Sequence, residues 1–267
     1  MRFHKMHGLG NDFVVLDARA EPIAIDAPRA RAIADRRTGV GCDQLILLEP
    51  SRVADLRMRI FNADGGEVEA CGNAARCVTL LEGGSPRIET KGGVITGAAN
   101  GASATIDMGQ PRFAWHEIPL AYPLDTRAIP IGWEELQQPF AVNVGNPHVI
   151  FFVEDANAVP LDRLGPQIEQ DPLFPERINV NAASYEGDAI RLRVWERGVG
   201  ITRACGTGAC AAQVAACRRG LTGRRADVVL DGGTLTIEWL ADGHVLMTGP
   251  AAVSFRGSFD LPYGRAA

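Results

Sequence analysis

The sequence contains two similar short motifs, and each places a cysteine ahead of small residues. Residues 70–73 read Ala-Cys-Gly-Asn, and residues 204–207 read Ala-Cys-Gly-Thr. Each motif follows a strand-like run and a Gly-containing turn, and each leads into an apolar helical pattern. A cysteine at the start of a helix lies at the positive end of the peptide dipoles, which lowers its pKa and favours the thiolate. Cys71 and Cys205 are therefore predicted to be reactive.

Two such cysteines facing one substrate would perform a specific reaction. Backbone N–H groups at a helix N-terminus bind anions such as a carboxylate, and the glycine after each cysteine lets the backbone approach a ligand closely. One thiolate would remove the Cα proton of a bound amino acid, and the opposite thiol would supply a new one. The two sulfurs would titrate as a coupled pair. The hypothesis is stereoinversion with Cys71 and Cys205 as an acid/base pair.

The other cysteines have an ordinary structural interpretation. Cys77, Cys210 and Cys217 lie on apolar helical stripes, where a cysteine acts as a small core residue, whereas Cys42 lies in a Gly-flanked loop and is undecided. No cysteine pair has the Cys-x2-Cys spacing of structural zinc sites, and the five histidines do not complete a ligand set. Neither a metal site nor a disulfide framework is expected.

Periodicity predicts the elements that position the two reactive cysteines. After Cys71, apolar residues recur at spacings of three and four, which predicts a helix ended by the double glycine at 83–84. After Cys205, the same spacing predicts a second helix, ended by Gly220. Strands alternate with Gly-containing turns through much of the remaining chain, and the Pro-bearing segment 119–130 is interpreted as a linker.

The cysteine motifs belong to a longer internal repeat. Cys205 follows Cys71 by 134 positions, and Gly145 follows Gly10 by 135. Four separate points match in order at this offset. Polar residues recur there as Asn11, Gln44, Asn62 and Asn73 in the first half, and as Asn146, Asn179, Glu196 and Thr207 in the second. Only two copies occur, so the repeat predicts a two-domain duplication rather than a solenoid, and a pseudo-twofold arrangement would bring both sets to one cleft.

The repeat sets the predicted domain boundaries and adds three candidate site residues. The first domain is residues 1–117 and the second is residues 118–249. His148 alone would more often be structural, and Glu196 with Arg197 alone would be a solvated pair at a strand end. Because Glu196 occupies the position of Asn62 in the repeat, it is expected to reach the cleft. There it would accept from a substrate ammonium, while His148 would orient or polarise the site.

Composition excludes several classes of function. The chain has 267 residues, 46% hydrophobic and 22% charged, which predicts a large buried core. A net charge of −5 argues against a nucleic-acid footprint, which needs clustered basic residues. The N-terminus is not followed by the apolar run of a signal peptide, and no run approaches the length of a membrane helix. A cytoplasmic enzyme or binding protein, without nucleic-acid or membrane partners, is expected.

The ordered motifs together resemble the diaminopimelate epimerase family, whose pyridoxal-independent enzymes interconvert LL- and meso-diaminopimelate. The resemblance covers essentially the full length. Its motifs are His-Gly-Leu-Gly-Asn-Asp-Phe at 7–13, Gly-Cys-Asp-Gln at 41–44, Phe-Asn-Ala-Asp-Gly at 61–65, Ala-Cys-Gly-Asn at 70–73, Asn-Pro-His at 146–148, Ile-Asn at 178–179, Trp-Glu-Arg-Gly at 195–198 and Ala-Cys-Gly-Thr-Gly at 204–208.

The resemblance implies a fold, an activity and a set of site residues. The fold would be α/β (α+β), with two similar domains that each wrap a β-sheet or barrel around a central helix beginning just after its cysteine. The last strand, at about 250–260, would pack back on the N-terminal half. Cys71 and Cys205 would be the two bases, assisted by His148 and Glu196, with no cofactor. Substrate contacts would come from Asn11, Gln44, Asn62, Gly72, Asn73, Asn146, Asn179, Glu196, Arg197, Gly206 and Thr207.

The resemblance also implies a homodimer and a place in lysine and peptidoglycan precursor synthesis. Some family members have a tyrosine near the C-terminus at the dimer interface, where this chain has Phe255. Alternatives from other classes are a proline-type racemase, which also uses two opposed cysteines, a thiol redox or metal-binding protein, and a non-catalytic binding protein. The asparagine-rich set and Glu196–Arg197 favour a substrate with a distal amino and carboxylate group.

Overall fold

The computed structural model describes residues 1–69, 71–186 and 188–260. Its helices are α1 Ala27–Ala34, α2 Gly72–Glu82, α3 Leu161–Glu169 and α4 Gly206–Arg218. Its strands are β1 Arg2–Gly8, β2 Asn11–Asp17, β3 Gln44–Glu49, β4 Leu56–Asn62, β5 Glu67–Val68, β6 Arg87–Thr90, β7 Gly93–Asn100, β8 Ser103–Asp107, β9 Gly132–Trp133, β10 Leu136–Gln137, β11 Phe140–Asn143, β12 Pro147–Phe152, β13 Asn179–Glu186, β14 Ala189–Glu196, β15 Gly200–Thr202, β16 Arg225–Leu230, β17 Gly233–Trp239, β18 Val245–Pro250 and β19 Ala252–Ser258. Within this described part of the chain, no helix has the length and apolarity to cross a membrane.

The chain folds into two compact units. The first contains Met1–Ile106 and Gly249–Asp260, and the second contains Asp107–Thr248. The domain boundaries at 1–117 and 118–249 remain a prediction. The interpretation of segment 119–130 as a linker is wrong, because Leu120 and Ile129 are buried in the hydrophobic core of the second unit.

In the first unit, helix α2 packs against strands that pair in a defined order. β1 pairs antiparallel with β2 and with the C-terminal strand β19. β2 runs parallel to β3, β3 antiparallel to β4, and β4 parallel to β6, which continues antiparallel into β7. Helix α2 contacts β1, β7 and β19. Of the predicted apolar stripe it buries Ala74, Cys77 and Val78, whereas Leu81 is half-buried. Gly83 ends the helix with a φ of 72°, which favours glycine.

The second unit repeats this order of pairing. β11 pairs antiparallel with β12, β12 parallel with β13, β13 antiparallel with β14, and β14 parallel with β16, which continues antiparallel into β17. The first parallel ladder sets Phe13 opposite Gln44, and the corresponding ladder sets His148 opposite Asn179. The shared order confirms the predicted α/β class with an internal duplication.

Helix α4 is enclosed by strands of its own unit. It contacts β11, β12, β13, β14, β16 and β17, and residues 208–216 are all buried. A helix that is apolar all round is stable only when it is covered on all sides, and its alanine-rich sequence lets the strands approach closely. The chain leaves the helix through Gly220, with a φ of 72°, so the predicted end is correct to within two residues.

Helix α3 fixes the end of β14, which carries Glu196. The Trp195 indole N–H donates to Glu169 Oε2 at 2.7 Å, and the Gly198 backbone N–H donates to Glu169 Oε1 at 2.9 Å. Gly165 of α3 lies so close to the Trp195 ring that an added Cβ would be 2.5 Å from Cγ and Cδ2. The absence of a side chain at this position therefore allows helix and strand to pack.

Gly165→Ala is expected to destabilise the protein. Alanine favours the helix by up to about 1 kcal/mol, but overpacking against Trp195 costs about 1–3 kcal/mol, so the clash dominates. Urea unfolding followed by circular dichroism would show a lower midpoint. The matched control is Gln167→Ala on the exposed face of the same helix, with an expected change within about 0.5 kcal/mol. An unchanged or raised midpoint for Gly165→Ala would contradict the packing argument.

Candidate active site

Cys71 has an extended backbone conformation and precedes the first residue of α2, Gly72. Its backbone φ is −148°, so it caps the helix without being part of it. The Cys71 thiol lies 3.9 Å from Asn11 Oδ1, and Asn73 Nδ2 donates to the same oxygen at 3.2 Å. Asn11 begins β2, so a strand start and a helix start meet at the cysteine. Three of the predicted site residues of the first unit form one cluster.

Asp43 sets the orientation of the Asn11 amide. Asn11 Nδ2 donates to Asp43 Oδ2 at 2.9 Å, and because a carboxylate only accepts, the amide oxygen must face Cys71. Arg36 donates to Asp43 at 2.7 Å and to Asp12 at 2.6 Å. Burial opposes ionisation of Asp12, but Arg36 and Lys5 together hold the pKa of this carboxyl well below its usual range. A network of charged side chains therefore fixes the orientation of the neutral Asn11 amide beside the Cys71 thiol.

Gln44 and Asn62 form a second pair in the first unit. They lie opposite each other on β3 and β4, and Gln44 Nε2 donates to Asn62 Oδ1 at 2.8 Å. Gln44 Oε1 is buried and has no hydrogen-bond partner among the described residues. An unsatisfied buried acceptor costs about 1–3 kcal/mol, so a ligand donor at this position would be favourable.

Cys205 lies at the corresponding position of the second unit, just before Gly206 and helix α4. Its thiol is buried, with 4% of the residue exposed. The Gly208 N–H donates to Sγ at 3.3 Å, and the Thr207 hydroxyl lies 3.5 Å from Sγ. A Cβ at Gly208 would be 2.8 Å from Asn181 Oδ1 and 3.1 Å from Val194 Cγ2, so the turn around the sulfur is too tight for a side chain there.

Burial and a carboxylate control the protonation of Cys205. Burial raises the pKa of this thiol well above its ordinary value, and the charge of Glu196 raises it further, against the donors Thr207 and Gly208. Burial also raises the pKa of Glu196, against the opposing effects of the Thr202 hydroxyl, which donates to its carboxylate, and of the Cys205 side chain. The expectation that a helix start lowers the cysteine pKa is wrong for Cys205, because desolvation outweighs the dipole.

His148 connects several predicted residues of the second unit. Its Nε2 lies 3.0 Å from both Asn146 Oδ1 and Thr207 Oγ1, while Asn181 Nδ2 lies 3.2 Å from its Nδ1. The ring is fully buried. Burial, with the positive charge of Arg197 acting in the same direction, lowers the pKa of His148 to about 3. At neutral pH the ring is uncharged. A neutral ring suits the orientation of neighbouring polar groups better than acid/base catalysis.

Asn179 and Arg197 are linked to each other and to the backbone. Asn179 Nδ2 donates to the Pro147 carbonyl at 2.8 Å, and its Oδ1 accepts from the Arg197 N–H at 2.9 Å. The Arg197 side chain is exposed and donates to the Glu176 carbonyl at 3.0 Å. Asn179 thus ties the start of β12 to the end of β14, which holds Glu196 in place.

Sequence reasoning missed three residues that organise these clusters. Asp43 orients Asn11, Thr202 donates to Glu196, and Asn181 contacts His148. One signal was available for Asn181, because it follows Asn179 by two positions on a strand and so points to the same face. Within the described ranges, no three His, Cys, Asp or Glu side chains are grouped as metal ligands would be.

Comparison with known proteins identifies the family. The sequence model described as diaminopimelate epimerase matches residues 3–114 and 140–254. The chain belongs to the diaminopimelate epimerase family. Its relatives include the diaminopimelate epimerases of Erythrobacter litoralis (strain HTCC2594), 68% identical over 97% of both chains, and of Zymomonas mobilis subsp. mobilis, 53% identical over 97% of both chains.

Solved structures with much lower identity share the fold. A probable proline racemase from Agrobacterium radiobacter K84 superposes with a TM-score of 0.69 at 16% identity, covering 97% of this chain and 93% of that chain. A phenazine biosynthesis protein of the PhzF family from Enterococcus faecalis gives a TM-score of 0.71 at 14% identity, covering 96% and 97%. The duplicated fold of this diaminopimelate epimerase family member is thus shared with other racemases and epimerases.

Glu196→Gln is expected to lower the pKa of Cys205. Replacing the carboxylate by an amide removes the charge that disfavours the thiolate, while burial keeps the pKa above its ordinary value. The thiolate would therefore form at lower pH than in the wild type. The measurement is the pH dependence of Cys205 modification by a small methanethiosulfonate, followed by peptide mass spectrometry.

The control for this experiment is Glu154→Gln, which removes an exposed carboxylate from the same unit. It should leave the midpoint of Cys205 modification unchanged. An unchanged or higher midpoint in Glu196→Gln would show that the carboxylate does not act on the thiol.

Proposed function

We propose that this protein is an isomerase that interconverts LL- and meso-diaminopimelate by stereoinversion at one Cα, without a cofactor. The activity of its relatives, diaminopimelate epimerases, supports the substrate, and the geometry around Cys205 supports the chemistry. The observation that carries the proposal is a cysteine directly before the central helix of each unit, Cys71 before α2 and Cys205 before α4, with the Cys205 thiol buried and accepting from the Gly208 N–H.

The proposed reaction uses Cys71 and Cys205 as two bases. One thiolate takes the Cα proton, the carbanion forms, and the other thiol gives its own proton to the opposite side of Cα. One C–H bond breaks and one forms, so no oxidant or reductant is needed. The N–H groups that begin α2, at Gly72 and Asn73, and α4, at Gly206 and Thr207, would hold the substrate carboxylate.

Glu196 gives the proposed mechanism a link between binding and activation. In the absence of substrate, its charge keeps the Cys205 proton in place. A substrate ammonium bound at Glu196 would neutralise that charge, so the pKa of Cys205 would fall when the reaction needs a base. The donors Thr207 and Gly208 would then stabilise the thiolate.

The polar residues around the cysteines would recognise the rest of the substrate. Diaminopimelate has two amino and two carboxylate groups, and amide side chains can donate to one and accept from the other. The buried acceptor Oε1 of Gln44 suits a substrate N–H. The proposed binding residues are Asn11, Gln44, Asn62, Gly72, Asn73, Asn146, Asn179, Glu196, Arg197, Gly206 and Thr207, with His148 as an orienting group.

Replacing either cysteine is expected to abolish most of the activity. Cys71→Ala and Cys205→Ala should each lower kcat by about 10²–10⁴-fold, the contribution of a positioned acid or base. Epimerisation would be measured by chiral chromatography of LL-diaminopimelate turnover. Cys217→Ala is the matched control, because this cysteine lies at the C-terminal end of α4 and is expected to leave turnover near the wild-type value. Wild-type turnover in either test variant would exclude the two-base scheme.

Turnover in D2O distinguishes a two-base mechanism from a one-base mechanism. It also tests whether diaminopimelate is the substrate. With two bases, early product carries deuterium at the inverted Cα, while recovered LL-diaminopimelate carries little. Equal labelling of substrate and product would indicate a single base. L-Proline serves as the competing substrate, and deuterium uptake at proline Cα alone would replace the proposed function with proline racemisation.

The proposal includes a cytoplasmic homodimer without nucleic-acid or membrane partners. Phe255 on β19 is 51% exposed and packs edge-on against Phe3, with ring centroids 5.9 Å apart, so an apolar ring is available to a second copy. Phe255→Glu is expected to shift the sedimentation coefficient from dimer to monomer. Val53→Glu, at a site with similar exposure, should leave it unchanged. A monomeric wild type would overturn this part of the proposal.

A further inference from the structure

Asn181 is a fully buried amide on β13 that reaches His148. Its Nδ2 lies 2.9 Å from the Val149 carbonyl oxygen, 3.3 Å from the Asn179 carbonyl oxygen and 3.2 Å from His148 Nδ1. Two backbone carbonyls can only accept, so the atom that faces them must be the amide nitrogen. The amide nitrogen cannot accept, so a proton on His148 Nδ1 would point at a group with no lone pair for it; Nδ1 therefore carries no proton and shares the two amide hydrogens with the carbonyls as an acceptor.

The proton of the neutral ring is therefore on Nε2. This nitrogen lies 3.0 Å from both Asn146 Oδ1 and Thr207 Oγ1, which are its acceptors. Because the Thr207 oxygen accepts from His148, the hydroxyl proton of Thr207 is available to Cys205 Sγ, 3.5 Å away. The hydrogen bonds run in one direction, from Asn181 through His148 and Thr207 to the sulfur.

We infer that Asn181 is a positioning residue that fixes His148 as the Nε2–H tautomer and so directs the Thr207 hydroxyl proton toward Cys205. The consequence for catalysis rests on the proposed function, whereas the tautomer does not. With the opposite tautomer, the Nε2 lone pair would draw the Thr207 proton away. The lone pairs of the hydroxyl oxygen would then face a Cys205 thiolate and destabilise it.

A role in packing alone does not account for an asparagine at this position. Asn181 Oδ1 is buried and has no hydrogen-bond partner in the part of the chain that the structure describes. A buried, unpaired oxygen is destabilising, and leucine would fill a similar volume without it. Unlike leucine, asparagine supplies an N–H group that donates a hydrogen bond to His148 Nδ1.

Nitrogen NMR tests the tautomer directly. The chain has five histidines, so 15N-histidine labelling gives few resonances, and His148→Gln identifies those of His148. The expected wild-type spectrum at neutral pH has an unprotonated Nδ1 and a protonated Nε2. In Asn181→Leu the preference for one tautomer should be lost. The kcat value should fall about 10- to 100-fold, as for a lost hydrogen bond to a charged group, with KM nearly unchanged.

Gln213→Leu is the matched control. Gln213 is also fully buried, donates from its amide to a backbone carbonyl and has an unpaired Oε1 among the described residues, but it lies on α4 and donates to Gly223. Its loss should change stability without moving the His148 resonances or kcat. Asn181→Ala replaces Asn181→Leu if the leucine variant does not fold.

The outcomes separate the inference from the proposed function. A protonated Nδ1 in the wild type, or an unchanged tautomer in the Asn181 variants, would overturn the inference. A wild type with the expected tautomer but without epimerase activity would overturn the proposed function and leave the assignment of His148 in place.

Discussion

The thiol of Cys205 lies at the start of a helix that strands enclose, and little of it reaches water. Two effects on its ionisation oppose each other. A helix dipole stabilises an anion at its N-terminus by about 0.3–1 kcal/mol in ordinary cases, whereas removing an anion from water costs several kcal/mol. Burial dominates, and the pKa of Cys205 lies well above its ordinary value. The resting group is therefore a thiol, and the proposed role of Cys205 as a base requires a change in its surroundings.

The buried surroundings that keep the Cys205 thiol protonated also contain groups that can favour its ionisation. Glu196 is close enough for its charge to act on the sulfur, and it is itself buried enough for its pKa to be raised. A cation bound at Glu196, as proposed, would neutralise the carboxylate and lower the pKa of Cys205. Around the sulfur, Thr207 and Gly208 keep their donors in place before any ligand arrives, so little reorganisation is required when charge develops.

The repeat and the two cysteine helices could be predicted from the sequence, because both depend on local patterns. Helix starts after Cys71 and Cys205, and the stop at Gly83, follow from spacing and glycine conformations. The protonation of Cys205 could not be predicted, because it depends on strands distant in sequence that exclude water. Asp43 and Asn181 were missed for a related reason, since a supporting amide or carboxylate is recognised only through the group it orients.

The two units share one order of strands, but their cysteine thiols have different surroundings. In the first unit, Cys71 contacts the Asn11 amide oxygen, whose direction a carboxylate network fixes. In the second unit, Glu196 stands where the first has Asn62, and His148 where the first has Phe13. One thiol therefore faces a neutral acceptor, while the other faces an ionisable one whose charge a ligand can alter. A single two-base reaction needs one protonated and one ionised sulfur at a time, and this difference between equivalent positions is what would assign those states.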